Sequence, residues 1–129
     1  MYDNYKNSEL TEEIIGIFYH VYKTLGFGFL EKVYENSMMI MLKKAGFDCL
    51  SQKPIKVYFD NEIVGEYFAD IVVEEKVIIE LKAVNKLSSV HEVQLVNYLK
   101  ATGIEVGLLL NFGSKPEVRR RVFSKDYSE

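Results

Sequence analysis

Three ionisable residues interrupt an otherwise apolar stretch, FADIVVEEKVIIELKAV at residues 68–84: Asp70, Glu80 and Lys82. A two-residue side-chain period puts Glu80 and Lys82 on one face of an extended segment, roughly 6 to 7 Å apart along it, with Ile79 and Leu81 on the other. The charged EEK turn folds the preceding run back alongside, so Asp70 comes close to Glu80 from the neighbouring strand. Opposite charges on an exposed sheet surface are common and nearly neutral in energy. Two carboxylates against one ammonium in an apolar setting are different, because they leave one negative charge uncompensated and an unpaired buried ion is costly. A hard divalent cation with oxygen ligands, Mg²⁺ or Mn²⁺, answers that need. Two histidines, His20 and His91, and one cysteine are too few for a persuasive zinc site.

The surrounding pattern says which elements must position these groups. Over residues 9–25 the apolar residues Leu10, Ile14, Ile17, Phe18, Val21, Tyr22 and Leu25 follow the three-and-four spacing of an amphipathic helix, with Ser8 as N-cap and Gly26 as stop. His20 falls among its polar positions, as a surface or partner-contact residue. A glycine-rich turn at residues 26–28 precedes a second helix over residues 30–45, closed by Gly46, whose expected buried stripe is Leu30, Val33, Ser37, Met38, Met41 and Leu42. Its methionines read as core filler. The period then changes to two: IKVYF, the turn DNEIVG, EYFADIVVE, the turn EEK and VIIELKAV predict three consecutive antiparallel strands. LSSVHEVQLVNYLKATG predicts a third helix opened by a capping box of Ser89 and Glu92 and ended by Gly103. VGLLLNFG reads as a central strand buried on both faces. The order is α-α-β-β-β-α-β, with a last strand or helix around residues 118–123, in one domain over residues 1–129.

Composition bounds the function. At 129 residues the chain suits one ordinary domain with a real core. With 48% hydrophobic and 27% charged residues it reads as a soluble globular protein. MYDNYKNSEL lacks the basic flank and apolar run of a signal peptide, and no membrane span is found, so a cytoplasmic location is expected. Cys49 has no adjacent cationic setting to favour a thiolate, and reads as packing. A net charge of −3 argues against a broad basic surface for nucleic acid. A local patch remains open: Arg119, Arg120 and Arg121 are the only arginines, flanked by Lys115 and Lys125. They form either a solvated segment or a phosphate-contacting patch.

Asp70 followed by Glu80-Leu81-Lys82 resembles the signature of the PD-(D/E)XK nuclease superfamily. Separately, Gly28-Phe29-Leu30-Glu31-Lys32-Val33-Tyr34 matches GxxExxY, which names a family of small proteins placed in that superfamily. Gln94 and Tyr98, one turn apart on the third helix, are similar to the QxxxY arrangement of RecB-type members. The resemblance runs from the first helix through LLLNFGS. One departure is Ala69, where the superfamily's pattern has proline; this removes a backbone restraint but no ligand.

The resemblance implies a restriction-endonuclease-like α/β core, a mixed sheet with a three-strand meander flanked by helices. It implies that Asp70, Glu80 and the backbone carbonyl of Leu81 hold Mg²⁺ or Mn²⁺, and that Glu31 completes or tunes the site. Without it, Glu31 would read as a solvated acid at a helix N-terminus. Lys82 is implied to orient or deprotonate the attacking water or to neutralise phosphate charge, and Gln94 to position water or phosphate. Tyr98 and His91 would contact nucleic acid, with Arg119, Arg120 and Arg121 as the phosphate grip. Tyr34 either packs its helix against the sheet or touches substrate.

The implied activity is hydrolysis of phosphodiester bonds, in DNA before RNA, by a metal-activated water. The alternative is a catalytically weak nucleic-acid-binding or protein-interaction module on the same fold. A plain structural domain with surface ion pairs is the third reading. A homodimer or protein partner stays open for gripping a duplex.

Overall fold

The computed structural model describes residues 7–124, so the expectation for Lys125 lies outside them. Helix α1 (Ser8–Leu25) follows the apolar periodicity, burying Ile14, Phe18 and Val21. Its N-cap is Asn7 rather than Ser8, and Gly26 ends it as expected. Helix α2 (Glu31–Lys44) is rotated from the expected stripe: Tyr34, Met38 and Leu42, each one turn from the next, face the core with Glu35 beside them. Leu30 is 82% exposed at the N-cap, and Val33 is exposed.

Strands β1 (Cys49–Phe59) and β2 (Glu62–Val73) form a long antiparallel hairpin. Asp60 and Asn61, both with positive φ, make a two-residue turn where the sequence pattern predicts the longer DNEIVG. That is the primed geometry whose twist matches the strands it joins. Glu74 and Glu75 adopt the same left-handed conformation in the turn to β3 (Val77–Lys82). Helix α3 (Ser89–Thr102) then crosses over to β4 (Val106–Phe112), which pairs parallel to β3 and is buried along its whole length. The tail resolves as a strand, β5 (Pro116–Val122), antiparallel to β4. The five strands lie in the order β1-β2-β3-β4-β5, a mixed sheet as expected.

Two apolar layers hold the sheet. On one face α1 and α2 pack on Ile71, Ile79, Leu108 and Phe112, with the Tyr34 ring stacked 4.0 Å from that of Phe112. On the other, Leu95 and Leu99 of α3 pack on Val72, Ile78 and Leu109. Full burial of one such side chain stabilises the fold by about 1.5–3 kcal/mol.

The feature that positions the site is a split in the sheet. Strands β2 and β3 are paired only from Ile71–Ile79 to Val73–Val77. Beyond that point the rest of β2 pairs with β1 alone, and Glu80, Leu81 and Lys82 pair with β4 alone. The outer hairpin thus leaves the sheet as an arm.

Candidate active site

Asp70 and Glu80 stand at the fork of the split. Asp70 N–H donates to Glu80 Oε2 at 2.9 Å, and Leu81 N–H donates to Asp70 Oδ2 at 2.8 Å. Each carboxylate therefore takes over a main-chain donor that the diverging ladder would leave without a partner, the need that buried backbone groups must meet. Because the N–H and C=O of a strand residue leave toward the same side, the Leu81 carbonyl is directed into the fork as well.

The electrostatics follow from this crowding. Burial, and then the charge of Asp70, push the Glu80 carboxyl up to about 8. Burial also raises Asp70, with the charge of Glu35 acting in the same direction. Lys82 is half-buried and favours the ionised form of both, without a direct ion pair to either among the described residues. One ammonium is outweighed by the carboxylates around it.

Glu31 approaches from the first turn of α2, near enough for its charge to raise Glu80. Its placement rests on the loop before it. Gly28 has φ +113, a conformation that glycine adopts readily and side chains resist. The Tyr34 hydroxyl donates to the Gly26 carbonyl at 2.7 Å and accepts from Phe29 N–H at 3.2 Å. Tyr34, wholly buried, thus packs its helix and pins the loop instead of touching substrate.

Two residues that the sequence pattern does not single out belong here. Glu35 is 5% exposed and accepts from Lys32 Nζ at 3.1 Å and from Gln52 Nε2 at 2.9 Å. Gln52 reaches Asp70 Oδ1 at 3.3 Å with the same nitrogen, from a backbone with φ +55 at the point where β1 skips its pairing with Asp70. A buried acid one turn from Glu31, and an amide at an unusual φ, carry no sequence signature by themselves.

On α3, Gln94 Nε2 donates to the Tyr98 hydroxyl at 3.1 Å, so the two share a face as predicted. Tyr98 is only 6% exposed, and burial followed by the charges of Glu80 and Asp70 pushes its hydroxyl up to about 12. A ring that buried does not offer its face to a base. His91 is placed as a capping residue: Ser88, not Ser89, is the N-cap, and Ser88 N–H donates to His91 Nδ1 at 3.1 Å. Glu92, expected in that role, pairs instead with Arg119 at 3.6 Å and with Arg121.

The arginine run is not one patch. Period-two alternation puts Arg119 and Arg121 toward Glu92, with Glu117 3.5 Å from Arg119, and sends Arg120 to the opposite face of β5.

An all-oxygen donor set of Asp70, Glu80 and the Leu81 carbonyl suits a hard cation. No three His, Cys, Asp or Glu side chains among the described residues converge on one metal position. That is compatible with Mg²⁺, which keeps several waters and takes one or two carboxylates.

A mixed five-stranded sheet whose central strands part around an Asp, a Glu and a Lys defines a restriction-endonuclease-like protein. The family model for the PD-(D/E)XK nuclease superfamily matches residues 8–121, and the chain belongs to that superfamily, whose nucleases generally use divalent metals. No curated protein matches the chain. Among solved structures it is similar to the crystal structure of SSO0001, with a TM-score of 0.60 and 15% identity over 72% of this chain, a likeness of fold. The chain spans about half the length of that protein, since the match covers 50% of it.

Proposed function

We propose that this chain hydrolyses phosphodiester bonds of DNA, with RNA as the second choice of substrate, at the Asp70–Glu80–Lys82 fork, and that it is one of the GxxExxY proteins of its superfamily. The observation that carries the reading is the reciprocal pair of bonds between Asp70 and the Glu80–Leu81 segment, with Lys82 beyond it at the open end of the split.

Asp70, Glu80 and the Leu81 carbonyl would hold Mg²⁺ or Mn²⁺. Such an ion, when bound, supplies an activated water and stabilises charge on the phosphate. Lys82 contributes a fixed positive charge where negative charge grows on the phosphoryl oxygens, which is worth most in a site with little water. Its other role is to orient the attacking water. Glu31 tunes the site from the N-terminus of α2, and Glu35 with Gln52 holds Asp70 in place. Gln94 positions water or phosphate from α3. Arg119, Arg120 and Arg121 remain a second, weaker nucleic-acid surface, because two of them already face Glu92.

One observation favours the alternative of a catalytically weak binding module: among the described residues no third acid joins Asp70 and Glu80 at a common metal position. Calorimetric titration of Mg²⁺ and Mn²⁺ into wild type and Asp70→Ala separates the two when the same samples are then incubated with labelled DNA and RNA. Hydrolysis predicts metal binding and cleavage that both vanish in Asp70→Ala. Nucleic-acid binding without cleavage, unchanged in Asp70→Ala, would establish the module.

A further inference from the structure

Lys82 stands at the end of its strand with a partner on one side only. Strand β2 has left by then, and the ladder to β4 ends at the Lys82–Asn111 pair. A strand end held along a single edge opens at low cost, yet the chemistry proposed for this lysine needs its ammonium in one place.

Ladder partners share a face of the sheet, and Asn111 pairs with Lys82 on one side and with Glu117 of β5 on the other. A lysine, an amide and a carboxylate therefore form a row across three strands. The row lies on the face that α3 covers, since Ile78 and Leu109, which alternate with Lys82 and Asn111, pack there.

Asn111 is wholly buried, and its carboxamide bonds the main chain two residues beyond Lys82. Val84 N–H donates to Asn111 Oδ1 at 3.0 Å, and Asn111 Nδ2 donates to the Val84 carbonyl at 2.9 Å. The side chain thus does for Val84 what a further peptide of β4 would do. Asn111 Nδ2 also donates to Glu117 Oε1 at 2.9 Å, the oxygen that accepts from Leu87 N–H at 2.9 Å. Two donors and one acceptor are needed at this point, which an amide supplies and a carboxylate does not. Gly113 adds a steric mark of the same contact, because a Cβ there would run into the Val84 carbonyl oxygen.

The row also keeps its charges apart. The neighbour of Lys82 is a neutral amide, and the Glu117 carboxylate stands two strand spacings away, roughly 10 Å, engaged by Asn111, Leu87 and Arg119.

We infer that Asn111, backed by Glu117, is a positioning residue for Lys82: it fixes the chain just beyond the lysine, so that the ammonium is held at the fork and not drawn along the sheet. This rests on the proposed hydrolysis, in which Lys82 acts on the phosphate. A misplacement of about 1 Å at a reacting group costs on the order of 10²-fold in rate.

The test is a kinetic cycle on labelled DNA in Mg²⁺, with Asn111→Ala, Glu117→Ala and Glu117→Gln each made in wild type and in Lys82→Ala, and thermal melts to show that each is folded. Asn111→Ala should lower kcat by about tenfold to a hundredfold, with KM and calorimetric Mg²⁺ affinity within about twofold of wild type. Glu117→Ala should cost severalfold, and it carries the test should Asn111→Ala not fold. Glu117→Gln, which keeps an oxygen for Leu87 N–H and Asn111, should restore most of the rate. In Lys82→Ala none of the three should lower the residual rate by more than about twofold, because their effect passes through the lysine. The same fold loss with and without Lys82 would overturn the inference, since a structural defect ignores that side chain.

Hydrogen exchange and NMR of the metal-free protein give a readout that needs no cleavage. The Val84 amide should be protected in wild type and exchange freely in Asn111→Ala, with the Lys82 Cε methylene signal moved and more mobile. An unchanged Lys82 signal with Val84 released would overturn the inference. Wild type without any cleavage would sink the proposed hydrolysis, and the Lys82 signal alone would then decide whether Asn111 holds this lysine.

Discussion

The two halves of the β2–β3 pair differ more than their shared strands suggest. From Ile71 to Val73 the pair is closed by main-chain bonds to Val77, Ile78 and Ile79, and every side chain there is buried and apolar. One residue further, the ladder gives way to carboxylate–amide bonds made by Asp70 and Glu80. The closed half supplies stability and needs only shape. The open half keeps its backbone satisfied with acidic side chains, which the closed half next to it must hold in a place unfavourable to charge. A site of this kind is a sheet interrupted on purpose, and the apolar half is what makes the interruption tolerable.

The sharpest way to break that contrast is to remove groups from each half in turn. Asp70→Ala should bring cleavage to background in a gel assay, because it removes a proposed metal ligand and leaves Leu81 N–H without its acceptor. Lys82→Ala should lower the turnover by roughly two to three orders of magnitude, the range for losing a preorganised charge or donor at the transition state. Ile79→Ala belongs to the other half: denaturant unfolding should show a loss of about 2–5 kcal/mol, with activity per folded molecule retained.

A pH series sharpens the comparison. Glu80 is held up at about 8 in the fold against an ordinary 4.5, so the metal-free protein binds a proton that the unfolded chain releases. Stability from this group is therefore fully present below about 4.5 and is lost as pH rises through about 8. Glu80→Gln, which keeps an acceptor for Asp70 N–H, should be less pH-dependent than wild type across that window and more stable at its upper end. Wild type and variant with parallel melting temperatures across the window would contradict the assignment. The smallest effect expected is at β5: Arg121→Ala should change stability by at most about 1 kcal/mol, since the Glu92 pair is partly exposed. Weakening of nucleic-acid binding by more than severalfold would restore the arginines to the main surface.

Much of this architecture was legible in the residues. The α1 stripe, the three-strand meander, the continuous apolar run of β4 and the Asp70–Glu80–Lys82 constellation all follow from period and type. What was not legible depended on partners distant in the chain. Apolar residues occur all round α2, so only tertiary packing against Phe112 selects Tyr34, Met38 and Leu42 over Leu30 and Val33. Glu35 is buried because Gln52, seventeen positions away, reaches it. The cap of α3 shifts by one residue because neighbouring serines compete, and His91 serves where Glu92 was expected. The arginine run reads as a patch in one dimension and divides in two once it becomes a strand.

The most direct test of the account is cleavage of labelled DNA with and without Mg²⁺ or Mn²⁺, comparing wild type and Lys82→Ala at equal metal occupancy fixed by calorimetry. The account predicts metal-dependent cleavage by wild type and its near loss in Lys82→Ala while metal binding is kept. Equal cleavage by the two proteins, or cleavage indifferent to metal, would contradict it.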